Sequence, residues 1–341
     1  MSQQVTAADA ATCLKCYPSI GPVSSITLLT GAFHNTLFHV LTEGGEFYLK
    51  VLTTHSNSST EERYEFLDWA AEQFHRVGVE APVAIRNAEG NRLTCCGAYP
   101  AMLSAAIGGD EFKEERPEQQ ASAGRVLGLF HRTAAHAPRR GSSWLKPLGG
   151  YLLLDGSLLD DLPDVPEAPV IRHWGDELLR QSERMAGELT ACCYTSLPQS
   201  AVHGEVTGKH MRVRGNRVSG VLDFEYACWD ARVIDVGRSL ICLSCVGPEA
   251  EDDAPQRTRS FLGGYESAGW PLQPEEVAAL PTLVKVWDFE CVTFFIHHIV
   301  ETRAPIQRFD LGARISDCLT RVDWWEQHGD RVADQLSRIR P

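Results

Sequence analysis

Two hydrophobic periods run along the chain, and the change from one to the other divides it. Between Ser24 and Leu52, runs such as "SITLL", "TLFHVLT" and "FYLKVL" are β-rich or alternate apolar with polar positions, with Gly31 and the pair Gly44-Gly45 between them. Such runs separated by glycines predict consecutive antiparallel hairpins. A helix over Ala7–Cys16 precedes them, stopped by "PSIGP", and a second helix over Thr60–Arg76 follows, opening on Glu61, Glu62 and Glu65, where carboxylates suit the N-terminal dipole. The stretch "GVEAPVAIRNAEGNRLTCCGAYPAMLSAA" returns to strands.

From Gln119 onward the period becomes helical. Ala123, Val126, Leu127 and Phe130 fall on one face. "LPDVPEAPV", residues 162–170, reads as a proline-rich surface loop, and "HWGDELLRQSERMAGEL" as a helix. "QPEEVAALPTLVKVWDFECVTFFIHHIVE" is apolar on most sides, which predicts a core helix broken near Pro281. The expectation is an α+β chain in two lobes: a lead-in helix over 1–19, a small antiparallel β lobe with one helix over 20–105, and a larger, mostly helical lobe over 106–341.

Composition narrows the partners more than the fold. The 341 residues carry a net charge of −13, with 43% hydrophobic and 23% charged positions, ordinary values for a globular chain. An acidic surface disfavours nucleic acid and membrane surfaces, which both favour a basic face. The opening "MSQQVTAADAATCLKCY" lacks the basic start and apolar stretch of a secretory signal, and "VTFFIHHIV" is too short to span a bilayer, so a cytoplasmic location is expected. The 11 cysteines then read as reduced thiols. Cys13, Cys16, Cys242 and Cys245 form two CxxC pairs that would make a four-thiolate zinc site only by meeting across the fold; the competing reading is small apolar residues on helices.

Candidate chemistry concentrates in four places. Lys50 lies in the alternating strand "GGEFYLKVL", one hairpin after "TGAFHNT", where Gly31 can turn tightly over phosphates; a lone strand lysine is otherwise a solvated one. Its expected carboxylate partner is on the next helix, Glu62 being favoured over Glu61 and Glu65, all of which could equally be exposed helix-start acids. In "AVHGEVTGKHMRVRGNRVSGVLDFEYACWDARVIDVGRSL", residues 201–240, a two-residue turn at Gly215-Asn216 makes cross-strand partners of Arg214 and Arg217, and hence of His210 and Val221. Asp223 then shares a sheet face with His210 at a diagonal of about 7–8 Å, and Glu205 sits in the loop before the strand. Two carboxylates and an imidazole converging on one point make a plausible catalytic and metal site; chance placement in an acidic chain is the alternative.

With these residues in view, the sequence from about residue 20 to the end resembles the aminoglycoside phosphotransferase and choline kinase superfamily, whose fold is protein-kinase-like. That superfamily carries His-Gly-Asp, then Asn five residues after the Asp, then Asp-Phe-Glu; the matching positions are His203-Gly204-Glu205, His210 and Asp223-Phe224-Glu225. "DFEYACWDARVIDVGRSL" is similar to the choline kinase version. "YPAMLSAAIGGDEF", "AGRVLGLFHRTAA" and "FLGGYESAGWPLQPEEVAALP" look like homoserine kinases and bacterial stress-response Ser/Thr kinases. The resemblance implies ATP with Mg or Mn. It assigns Lys50 to the α/β-phosphates with Glu62 orienting it, residues Met102 to Ile107 to adenine, and Glu205 to the acceptor hydroxyl. Asp223 and His210 would hold the metal, while His203 and Asp235 support the loop.

Two positions depart from the pattern. Glu for Asp moves the carboxylate out by one methylene, and a displacement of about 1 Å can cost on the order of 10²-fold in rate. His for Asn substitutes a softer nitrogen ligand for an amide oxygen. The leading expectation is an ATP-dependent phosphotransferase acting on a hydroxyl of a small metabolite or antibiotic, with Asp155, Asp160 and Asp161 as possible acceptor walls. The alternatives are a Ser/Thr kinase acting on a peptide or protein, and a pseudokinase that binds nucleotide without turnover.

Overall fold

The computed structural model describes residues 5–29, 35–53, 60–136, 148–243, 245–248, 250, 252–306 and 309–339. Gly31, expected to turn over phosphates, lies outside the described residues.

Helix α1 (Ala7–Leu14) starts on a reciprocal cap: Asp9 N–H donates to Thr6 Oγ1 at 3.2 Å and Thr6 N–H donates to Asp9 Oδ2 at 2.9 Å, satisfying two otherwise orphaned donors. Strands β1 (Val23–Leu29), β2 (Thr36–Thr42) and β3 (Gly45–Val51) follow, then helix α2 (Thr60–Arg76) and strands β4 (Thr94–Cys96) and β5 (Tyr99–Ala105). They form one antiparallel sheet in the order β1-β2-β3-β5-β4. Phe38, Val40, Leu49, Val51 and Leu103 share a core with Ala10, Cys13 and Leu14 of α1. Helix α2 instead sends its apolar face into the core of the helical lobe, where Phe74 stacks on Phe130 with ring centroids 4.2 Å apart.

Residues 106–109 lead out of the sheet into the two-residue strand β6 (Asp110–Glu111) and helix α3 (Pro117–Ala134), whose predicted face of Ala123, Val126, Leu127 and Phe130 is buried. Helices α4 (Gly156–Asp160), α5 (Ala168–His173) and α6 (Gly175–Ala191) precede strand β7 (Gln199–Val202). Strands β8 (Met211–Arg214) and β9 (Arg217–Val221) make the expected hairpin, and β10 (Cys228–Ala231) pairs with β7. Helices α7 (Arg232–Cys242), α8 (Ala254–Glu266), α9 (Pro274–Thr302) and α10 (Leu311–Ile339) complete the lobe. Helices α3 and α8 cross almost backbone to backbone: a Cβ on Gly124 would come within 1.9 Å of Phe261 O, and one on Gly264 within 1.9 Å of Ala121 O. Only glycine allows this approach.

Two expectations change. Helix α9 runs unbroken through Pro281; proline forfeits one donor and crowds the preceding turn, but the ring packs where α10 carries Gly329, on which a Cβ would lie 3.0 Å from Pro281 Cβ. Residues 162–170 are not simply a surface loop, since Leu162 and Val165 are buried and α5 begins at Ala168. The two CxxC pairs do not meet: Cys13 is buried in the β-lobe core and Cys245 in that of the helical lobe. Among the described residues, no helix is long and apolar enough to cross a membrane.

Candidate active site

The loop that carries Glu205 is held from below. Asp235 on α7 is fully buried and accepts from the backbone N–H of His203 at 2.5 Å and of Gly204 at 2.7 Å, and from His131 Nε2 at 3.2 Å. Burial would raise its carboxyl, but the His131 hydrogen bond, the neighbouring imidazoles and the His203 amide together hold it below the usual carboxylate range. Gly204 takes φ +85°, and a Cβ there would lie 2.4 Å from Tyr226 O, so the loop turns where only glycine fits. His203 Nδ1 accepts from Glu205 N–H at 3.2 Å, which leaves Nε2–H to donate to Leu222 O at 2.9 Å. Burial pushes this imidazole down to about 4, so the ring is a neutral strut between the loop and the strand end.

The hairpin reaches the expected geometry by a different register. Arg214 faces Arg217 across the Gly215-Asn216 turn, but a bulge beside Arg212 and Val213 shifts the rest by one, so Val221 opposes Met211, not His210. A one-residue slip would turn His210 to the opposite face. His210 instead closes the 3-10 turn Gly208–His210, and this returns its Nε2 to 3.6 Å from Asp223 Oδ2. Asp223 adopts φ +61°, a left-handed conformation that Asp tolerates better than most residues and that turns the chain just beyond the strand.

Lys50 Nζ donates to Glu225 Oε1 at 2.7 Å and lies 4.0 Å from Asp223 Oδ1. Burial alone would lower the ammonium pKa, and the two carboxylates more than offset it. The expected partner Glu62 does not take part: Glu61 and Glu62 are exposed, and Glu65 is 3.4 Å from Arg92. The face of α2 that meets the cleft carries Tyr64 and Leu67, so the lysine's counter-ion comes from the hairpin side. Glu225 Oε1 also accepts from Asn35 Nδ2 at 2.6 Å. Sequence reasoning missed Asn35 and Tyr64, and it quoted Glu225 only as part of a motif.

Lys50, Tyr64, His210, Asp223 and Glu225 open onto one cavity of about 340 Å³ between the lobes. Met102, the cross-strand partner of Lys50, lines it with Tyr48, Ser104, Ala105 and Ile107 on the β side and with His210, Leu222, Asp223, Phe224 and Glu225 on the other. The proposed acceptor walls stand elsewhere: Asp155, Asp160 and Asp161 are exposed, with Asp155 capping α4 and Asp161 3.2 Å from Arg303.

The donor set fits a divalent cation. Single ligand atoms of Glu205, His210 and Asp223 lie within 4.8 Å of one another, the only such group among the described residues. His210 Nδ1 is 3.0 Å from Glu205 O, so that nitrogen carries the proton and donates, leaving the Nε2 lone pair aimed at Asp223; a backbone carbonyl fixing the far nitrogen is the usual support of a ligating histidine. Asp223 Oδ1 is buried and finds no hydrogen-bond partner among the described residues. Acceptor atoms directed at one space are stabilised by a cation.

A β lobe over a helical lobe, with a lysine and paired carboxylates at the cleft, defines a kinase-like bilobal phosphotransferase. The chain belongs to the Phosphotransferase enzyme family, which matches residues 25–271. It is similar to the homoserine kinase of Methylobacillus flagellatus, 27% identical over 278 residues that cover 80% of this chain and 79% of that one. In three dimensions it is similar to the amicoumacin kinase hAmiN in complex with AMP-PNP, Ca²⁺ and Ami, at a TM-score of 0.63 and 13% identity over 98% of this chain and 93% of that one. A choline/ethanolamine kinase family protein from Mesorhizobium loti gives 0.60 and 19%, with 98% of each chain covered. The chain is thus a kinase that transfers phosphate from ATP to a small-molecule hydroxyl.

Proposed function

We propose that the cavity between the lobes binds ATP with a divalent metal and that Glu205 presents the acceptor hydroxyl to the γ-phosphate. The observation that carries this reading is that Lys50 lies 4.0 Å from Asp223 in a cavity lined also by His210, Met102 and Ile107, with ligand atoms of Glu205, His210 and Asp223 within 4.8 Å of one another. Lys50 neutralises phosphate charge, and Glu225 and Asn35 hold it in place until the nucleotide arrives. Asp223 and His210 supply the metal ligands; the metal, Mg or Mn, would neutralise charge on the phosphates. Glu205 accepts the hydroxyl proton as the acceptor oxygen bonds to phosphorus and the bond to the ADP oxygen breaks; the proton then passes to solvent. Phosphoryl transfer asks little more of a protein than this positioning.

The homoserine kinase relatives make L-homoserine the first acceptor to test. ADP release should depend on both acceptor and metal, with Lys50→Ala weakening nucleotide affinity and Asp223→Ala abolishing metal-dependent turnover. Calorimetry showing unchanged affinity for metal–ATP in both variants would sink this assignment of the site.

A further inference from the structure

One charged side chain beside the loop has no part in this scheme. Arg238 stands on α7, three residues after Asp235, and is half-buried. Its Nη1 donates to Gly204 O at 3.0 Å, the carbonyl of the peptide that leads into Glu205, and its guanidinium carbon lies 5.2 Å from the Trp287 ring centroid. Nε is buried with no hydrogen-bond partner, and among the described residues no carboxylate oxygen lies within 4.0 Å of the group. Two buried carboxyls feel its charge, but they are engaged elsewhere. Asp230 accepts from Leu148 N–H at 2.8 Å and from the Tyr194 hydroxyl, and Glu290 accepts from Tyr151 N–H at 2.8 Å. Burial pushes both upward, Glu290 to about 7, and neither carboxylate is in contact with the guanidinium. A half-buried cation with no carboxylate in contact range among the described residues is stabilised when an anionic ligand pairs it.

We propose that Arg238 is the anion-recognising residue of the acceptor subsite, and that the hydroxyl acceptor carries a carboxylate a few bonds from its hydroxyl. The inference rests on the placement of the acceptor at Glu205. Arg238 hydrogen-bonds the carbonyl of the peptide that joins Gly204 to Glu205, which sets it beside the residue proposed to take the hydroxyl proton. The planar guanidinium fork suits a carboxylate in bidentate contact, and Trp287 keeps that contact partly dry, which strengthens it. The competing role is a brace for the Gly204 carbonyl, and the two roles part in their substrate dependence.

The test uses paired acceptors that differ only in charge: L-homoserine with L-homoserine amide, and 4-hydroxybutyrate with 4-hydroxybutyramide. ADP release is measured for the wild type, Arg238→Lys and Arg238→Gln. The acid of a pair should have the lower KM; Arg238→Gln should raise that KM by roughly 10- to 100-fold, as expected for loss of a charge-assisted pair, with the KM for ATP little changed. Arg238→Lys should recover part of the loss, and the amide should be nearly indifferent to both variants. Equal losses for acid and amide would make Arg238 a brace. A fall in kcat for every acceptor at constant KM would assign it to the transferred phosphate. Either result overturns the proposal. If no acceptor releases ADP although metal–ATP binds, the reading of Glu205 fails, and thermal shift decides Arg238 separately. Stabilisation by the acids that is lost in Arg238→Gln supports it, and stabilisation equal to that by the amides refutes it.

Discussion

Asp235→Asn tests the support of the catalytic loop with an almost isosteric change. In the folded chain the two carboxylate oxygens divide three donors: the amide of Gly204 at 2.7 Å, the amide of His203 at 2.5 Å and His131 Nε2 at 3.2 Å. An asparagine keeps one oxygen and turns an NH₂ toward a backbone N–H, so one charge-assisted bond is lost and one buried donor is left facing another. A lost charged bond is worth about 1.5–3 kcal/mol and a buried unsatisfied donor about 1–3 kcal/mol. The two overlap, so about 3–4 kcal/mol is expected, a large share of the ~5–15 kcal/mol that holds a domain folded. Urea unfolding followed by tryptophan fluorescence measures it. Turnover should fall further than stability alone dictates, because the loop amides fix the start of Glu205 and displacement by about 1 Å costs on the order of 10²-fold. The acid limb gives a second readout. The folded carboxyl lies below its ordinary value, so its contribution is complete above the unfolded value near pH 4 and is lost as pH falls through the folded one; Asp235→Asn should flatten that limb. A variant within about 1 kcal/mol of wild type, with turnover preserved, would refute the reasoning, since a change below the usual worth of one charged bond cannot include these losses.

Two further outcomes concern stability. Gly264→Ala puts a Cβ within 1.9 Å of Ala121 O, so α3 and α8 must separate; a loss of about 1–3 kcal/mol or more is expected in denaturant melts, as for other overpacked cores. Glu290 is buried and its carboxyl is pushed up to about 7 by burial. Between the unfolded value near pH 4.3 and that point the native state alone holds the proton, so stability should decline as pH rises, by on the order of 3 kcal/mol. Glu290→Gln should remove the decline, and a parallel pH profile in wild type and variant would contradict it.

What could be read from the sequence was what local periodicity controls. The alternation of "TLFHVLT" buries Phe38 and Val40, and the 3-4-7 spacing from Ala123 buries one face of α3, because side-chain direction follows directly from the repeat of the element. The turn at Gly215-Asn216 was equally local. The partner of Lys50 was not, since it depends on how α2 is rotated against the cleft: Tyr64 and Leu67 face inward while Glu61 and Glu62 face out. A bulge is likewise silent in an alternating strand, where one extra residue moves every later pairing. Continuity of α9 through Pro281 required knowing that a glycine lies opposite it. Arg238 gives no signal in one dimension, because the lack of a carboxylate within 4.0 Å of it among the described residues is a matter of packing in space.

The methylene that distinguishes Glu205 from an aspartate raises a choice that geometry alone leaves between two roles. Its carboxylate is within ligand range of His210 and Asp223, yet Oε1 lies 3.5 Å from Lys209 Nζ and Oε2 4.0 Å from His210 Nδ1, the nitrogen that donates to the backbone and not the one aimed at Asp223. Burial outweighs the attraction of His210 and Lys209 and raises the Glu205 carboxyl, which makes it a better proton acceptor than an ordinary glutamate. A group committed to the metal would be expected to share the space between His210 Nε2 and Asp223. Glu205→Gln therefore should leave Mn²⁺ affinity, followed by electron paramagnetic resonance with a non-hydrolysable ATP analogue, close to wild type. The single-turnover rate should fall by about 10²–10⁴, the usual worth of a positioned acid–base group. A loss of Mn²⁺ affinity of about tenfold or more, equivalent to some 1.4 kcal/mol, in step with the rate would instead make Glu205 a third metal ligand, and the acceptor hydroxyl would then need another base.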